Sequence, residues 1–85
     1  MIWTWEFTKQ AEKDLRKLSP DIARKLIGKL DYFVDTGYPL KFAEPLINYD
    51  LGQYRFRVGD YRIIFDVEDS IIVVLTLGHR REIYK

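Results

Sequence analysis

Between Tyr54 and Phe65, large apolar side chains alternate with arginines on either side of Gly59-Asp60, a pattern that few folds accommodate. Period-two alternation belongs to a strand with one buried and one open face, and a glycine–aspartate pair between two such runs marks a β-hairpin. With Gly59 and Asp60 as the central residues of a tight primed turn, Val58 stands opposite Tyr61, Arg57 opposite Arg62, Phe56 opposite Ile63 and Arg55 opposite Ile64. Tyr54, Phe56, Val58, Tyr61, Ile63 and Phe65 then share one face. Arg55, Arg57 and Arg62 share the other. An apolar face of that size needs a cover, and the rest of the chain must supply it.

The cover comes from two helices. Trp3, Trp5 and Phe7 alternate with Thr4 and Glu6, which predicts a first strand. Thr8 can cap a helix running to about Leu18, with Ala11, Leu15 and Leu18 as its apolar stripe. Ser19-Pro20 starts a second helix, a hydroxyl cap followed by a proline whose missing N–H would have been unpaired anyway. Ala23, Leu26, Ile27, Leu30, Phe33 and Val34 keep the helical period up to Gly37, a C-cap. Residues 37–52 show no sustained period and read as a long connection, with Leu40, Phe42, Leu46 and Ile47 packing it over an edge of the core. After the hairpin, Glu68-Asp69-Ser70 turns into Ile71–Leu77, which is apolar but for Thr76 and reads as a strand central in the sheet or covered on both faces. The expected fold is α+β: two N-terminal helices on a small, twisted, mainly antiparallel sheet, in the order β-α-α-β-β-β.

With 85 residues and no cysteine, the chain has room for one domain, residues 1–85, held together by packing alone. Its thirteen aromatics supply the bulk. No apolar run is long enough to span a bilayer and no signal peptide opens the sequence, so a cytoplasmic protein without membrane contact is expected.

The formal net charge of +1 hides a segregation. Residues 1–52 carry six lysines, two arginines and eight acids; residues 53–85 carry five arginines, one lysine and five acids. Guanidinium is planar, permanently charged and forked to grip phosphate, whereas scattered lysines mostly solvate a surface. Setting Arg57 opposite Arg62 costs about 0.2–1 kcal/mol unless something neutralises the pair. A bound phosphate would do so; so would Asp60, Asp66, Glu82 or water. The tail Gly78-His79-Arg80-Arg81-Glu82-Ile83-Tyr84-Lys85 follows the strand expected beside the hairpin and adds basic and aromatic groups. Arginine with tyrosine suits single-stranded RNA, the cation on the backbone and the ring on a base or ribose. His79, with an unperturbed pKa of about 6.5, is a candidate for proton transfer or for a local hydrogen bond.

The run Tyr54–Phe65 and the tail Gly78–Tyr84 closely resemble the RelE/ParE toxin superfamily in its RelE branch. Phe7-Thr8, Ala11–Leu15, Lys17-Leu18 and Pro45-Leu46 extend the likeness over the whole chain. The resemblance implies the toxin of a toxin–antitoxin pair, a ribosome-dependent endoribonuclease that cuts mRNA in the A site by driving a ribose 2′-hydroxyl onto the adjacent phosphate. It implies no metal and no cofactor. Its partners would be a cognate antitoxin, the ribosome and mRNA.

Carried over by position, Arg55 and Arg57 fall where the best-studied branch has lysines near the attacking hydroxyl. Arg62 falls on the phosphate-holding arginine, Arg80 on the arginine near the leaving group, and Tyr84 on the tyrosine that orients the ribose or stacks on a base. Arg81 and Lys85 are further RNA-binding candidates. Because guanidinium does not readily give up a proton, Arg55 and Arg57 would act electrostatically, leaving proton transfer to His79, Tyr84 or ribosomal RNA. The resemblance leaves open a ParE-like inhibitor of DNA gyrase and an inactive relative kept to bind its antitoxin.

Overall fold

In the computed structural model, which describes residues 2–47 and 50–84, the hairpin forms in the expected register. Strand β3 (Tyr54–Val58) pairs antiparallel with β4 (Tyr61–Glu68), and Arg57 lies opposite Arg62. Gly59 has a φ of +59°. No positive φ occurs at Asp60, which fits the primed turn with glycine in its first central position.

The sheet has five strands in the order β1-β5-β4-β3-β2. Strand β1 (Thr4–Phe7) runs parallel to β5 (Ile71–His79), and the other pairings are antiparallel. Strand β5 therefore lies inside the sheet, flanked by β1 and β4, as its apolar run suggested. Between Ile64 and Phe65 the β4–β5 register shifts, Ile64 facing Thr76 and Phe65 facing Val74, so Leu75 is an extra residue that bends β5.

Helix α1 (Lys9–Arg16) starts at Thr8, whose hydroxyl oxygen accepts from the Ala11 N–H at 3.1 Å while its O–H donates to the Leu75 carbonyl at 3.0 Å. One threonine thus caps the helix and ties it to the central strand. Helix α2 (Pro20–Asp35) is capped by Ser19 and released at Gly37, whose φ of +80° is open to glycine without strain. The Trp5 indole donates to the Asp31 carboxylate at 2.8 Å, fastening α2 to β1.

Ala11, Leu26, Leu30 and Phe33 from the helices meet Phe56, Val58, Ile63, Phe65, Ile72, Val74 and Leu77 from the sheet to form the core. Its centre is aromatic. The rings of Phe33 and Phe65 each lie 4.4 Å from that of Phe56. Among the described residues, no helix is long and apolar enough to cross a membrane.

Residues 37–47 hold more structure than expected. A 3-10 turn (Pro39–Phe42) leads into a short strand β2 (Ala43–Pro45), paired with β3 at the sheet edge, where a proline is tolerated. Phe42 stacks on Phe33 at 4.9 Å, as the packing expectation required, but Ile47 is 97% exposed and packs on nothing. A third, single-turn helix α3 (Arg80–Ile83) follows β5 directly. Helix α1 ends at Arg16, short of Leu18.

Candidate functional site

Arg55, Arg57 and Arg62 share the sheet face turned away from the helices, as strand alternation dictates. What each side chain does there differs. The Arg55 guanidinium donates to the Tyr84 hydroxyl at 2.8 Å and to the Glu44 carboxylate at 3.4 Å. Its charge centre lies 5.9 Å from the Tyr84 ring. The Tyr84 bond holds the Arg55 pKa above the usual arginine value; partial burial pulls it down and Glu44 pushes it up again. The Arg55 Nε–H is buried and has no acceptor among the described residues. Arg57 is exposed, with its Nε 3.7 Å from the other Glu44 oxygen.

Glu44 therefore bridges both cations. It stands on β2 directly across from Arg55, the register position from which a carboxylate can reach residues 55 and 57 together. The sequence reading missed it because a three-residue strand is too short to show a period. Its signal was only the residue type, an acid just ahead of Pro45-Leu46.

Arg62 is 5% exposed, the one charged residue buried among those described. One of its terminal nitrogens donates to the carbonyls of Gly59 at 2.8 Å and Tyr61 at 2.9 Å, so it clamps the turn it flanks. Each of the two cations has an intramolecular partner, Arg62 turning to backbone carbonyls and Arg57 to Glu44. The neutralisers weighed from sequence are engaged elsewhere in part: Asp66 accepts from the Gln53 N–H at 2.9 Å, and Asp60 lies 3.9 Å from the Arg80 guanidinium.

The tail folds back over this region. The Arg80 N–H donates to the Asp60 carbonyl at 2.8 Å, pinning the start of α3 to the hairpin turn. Gly78 lies opposite Arg62, and a side chain at Gly78 would touch Ile83, which packs over it. Tyr84, 44% exposed, reaches Arg55 from there. Arg80 and Arg81 are exposed. Lys85 lies outside the described residues.

His79 does not join the arginines. It is paired with Tyr61, on the helix side of the sheet, and the two rings meet edge to face at 5.4 Å. Its Nδ1 accepts from the Arg81 N–H at 3.2 Å, capping α3 and leaving the proton of the neutral ring on Nε2.

An antiparallel hairpin bearing arginines, backed by two helices and crossed by a basic, tyrosine-ended tail, is the layout of a toxin from a type II toxin–antitoxin system. Comparison with known proteins places the chain in the RelE/ParE superfamily: it belongs to the family described as ParE toxin of type II toxin-antitoxin system, parDE, whose model matches residues 5–84. It is 31% identical to Toxin RelG of Mycobacterium tuberculosis, over all of this chain and 99% of that protein.

Among solved structures it resembles a chain of the RelBE2 toxin–antitoxin complex of M. tuberculosis, with a TM-score of 0.81 and 29% identity over 94% of this chain and 100% of that one. It also resembles a chain of the archaeal RelE–RelB complex of Pyrococcus horikoshii, with a TM-score of 0.70 and 31% identity over 96% and 99% of the two chains.

Proposed function

We propose that the chain is a ribosome-dependent endoribonuclease that inhibits translation by cutting mRNA in the A site, and that an antitoxin silences it by covering the arginine face. The observation that supports this reading is the grouping of Arg55, Arg57, Glu44 and Tyr84 on one accessible patch, with Arg80 held against the hairpin turn beside it. In-line transesterification needs a proton acceptor for the 2′-hydroxyl, positive charge for the crowded phosphorane and help for the departing O5′.

Each requirement has a candidate. Glu44 takes the 2′-hydroxyl proton, a task closed to guanidinium and remote from His79. The new 2′-O–P bond forms as the P–O5′ bond breaks, leaving a 2′,3′-cyclic phosphate and a 5′-hydroxyl whose proton comes from water or ribosomal RNA. Arg55 and Arg57 hold the phosphoryl oxygens, and the orphaned Arg55 Nε–H adds to the field there. Arg62 contributes charge from beneath the surface while holding the turn. Arg80 sits near the leaving group, and Tyr84 orients the ribose.

Translation reconstituted with and without ribosomes, with mRNA 5′ ends mapped by primer extension beside a gyrase supercoiling assay, tests the proposal. Codon-aligned cuts that need ribosomes are expected. Arg57→Ala should lower single-turnover cleavage by about 10²-fold or more with the fold intact, the scale of one lost transition-state charge stabiliser. Arrested supercoiling with intact mRNA would move the chain to the gyrase-inhibiting branch; neither effect would leave an antitoxin-binding role alone.

A further inference from the structure

A cavity of 390 Å³ opens on the other side of α3 from the Tyr84–Arg55 bond, between the C-terminal end of α1, the end of β5 and α3 itself. Tyr61 and His79 give it an aromatic corner, Leu77 an apolar wall, Asp14 and Glu82 two carboxylates, and Lys17 a cation. The reaction described above uses none of these groups. Resting on the endoribonuclease reading, we propose that this cavity receives a nucleobase of the RNA strand next to the cut, and that it selects bases carrying an exocyclic amino group.

Three features lead to that ligand. The volume lies in the range of small-ligand sites, and flat aromatic walls suit a planar ring. The two carboxylates repel phosphate but accept hydrogen bonds, so the cavity is suited to a base edge rather than to the backbone. Asp14 accepts from Gln10 at 2.8 Å on one oxygen and from the Thr76 hydroxyl on the other, which fixes its orientation and leaves a lone pair on each. Adenine, cytosine and guanine offer an amino group with two donor hydrogens to such acceptors, whereas uracil offers a single N3–H flanked by two carbonyl oxygens that the carboxylates repel. Only the single turn of α3 separates the cavity from the arginine face, and Arg80 and Arg81 lie on that turn. A strand that crosses the turn keeps its backbone on arginines and Lys17 while one base drops inward.

The test is an NMR titration of the full chain with AMP, CMP, GMP and UMP, following the ring signals of His79 and Tyr61. AMP, CMP and GMP should shift both and bind about tenfold more tightly than UMP, the discrimination of one good donor–acceptor match. Glu82→Gln and Asp14→Asn, which preserve shape, should each bring the four nucleotides to within about threefold of one another. Arg57→Ala should leave the preference unchanged. Equal binding of UMP, shifts confined to the Arg55–Arg57 face, or no shift at millimolar nucleotide would overturn the proposal. Ring shifts without ribosomal cleavage would retain the cavity and remove the nuclease, whereas cleavage without ring shifts would do the reverse.

Discussion

Arg57 and Arg62 face each other across two strands, yet chemistry separates them. Arg57 is exposed and spends its charge on a carboxylate; Arg62 is buried and spends it on its own turn. Hydrogen bonds from a charged group contribute about 1.5–3 kcal/mol, so Arg62→Ala should lower stability by that order. In a domain of this size each kcal/mol moves Tm by roughly 4–8 °C, readily seen in a thermal melt. The sequence told which face the three arginines share, because alternation fixes faces, but not that one of them would be inside, because burial depends on what folds over it. Glu44 is the opposite case, invisible by pattern and central by position. Glu44→Gln keeps the shape and removes the proton acceptor; it should reduce kcat in ribosomal cleavage by about 10²-fold or more with KM little changed. An unchanged kcat would return Glu44 to the role of a counter-ion.

Among the elements, the hairpin's turn and register and the start of α2 were legible to the residue, since each has a chemically specific boundary, Gly59-Asp60 for one and Ser19-Pro20 for the other, while the hairpin's outer ends, expected at Gln53 and Val67, lie at Tyr54 and Glu68. Strand β2 and helix α3 were not, being three and four residues long and stabilised by contacts distant in sequence. The tail was read as a source of side chains, and it proves to be an element with its own cap. His79 supplies that cap, which explains a histidine among arginines without making it catalytic. Gly59 has empty space where a side chain would go, so a substitution there meets only backbone strain. Gly59→Ala should cost about 1–3 kcal/mol by denaturant unfolding, because an L side chain is strained at that positive φ. If alanine were free of penalty, the turn would not depend on that conformation.

For the whole molecule, stability rests on one aromatic-centred core. A domain of this length has a stability of roughly 4–13 kcal/mol. Phe56, fully buried between Phe33 and Phe65, contributes about 3–5 kcal/mol relative to alanine, so Phe56→Ala should lower the thermal midpoint by roughly 12–40 °C by circular dichroism. Such a variant would lose function without touching the arginine face, which is why Arg57→Ala, exposed and outside the core, is the cleaner probe of chemistry.

The parallel pairing of β1 with β5 joins the earliest strand to the latest, and β5 also supplies the partner for β4. Until residues 71–79 have been synthesised, β1 has no neighbour and the hairpin lacks one flank, so the sheet cannot close. A growing polypeptide of this design therefore completes the sheet behind its arginine face only after β5 has been made.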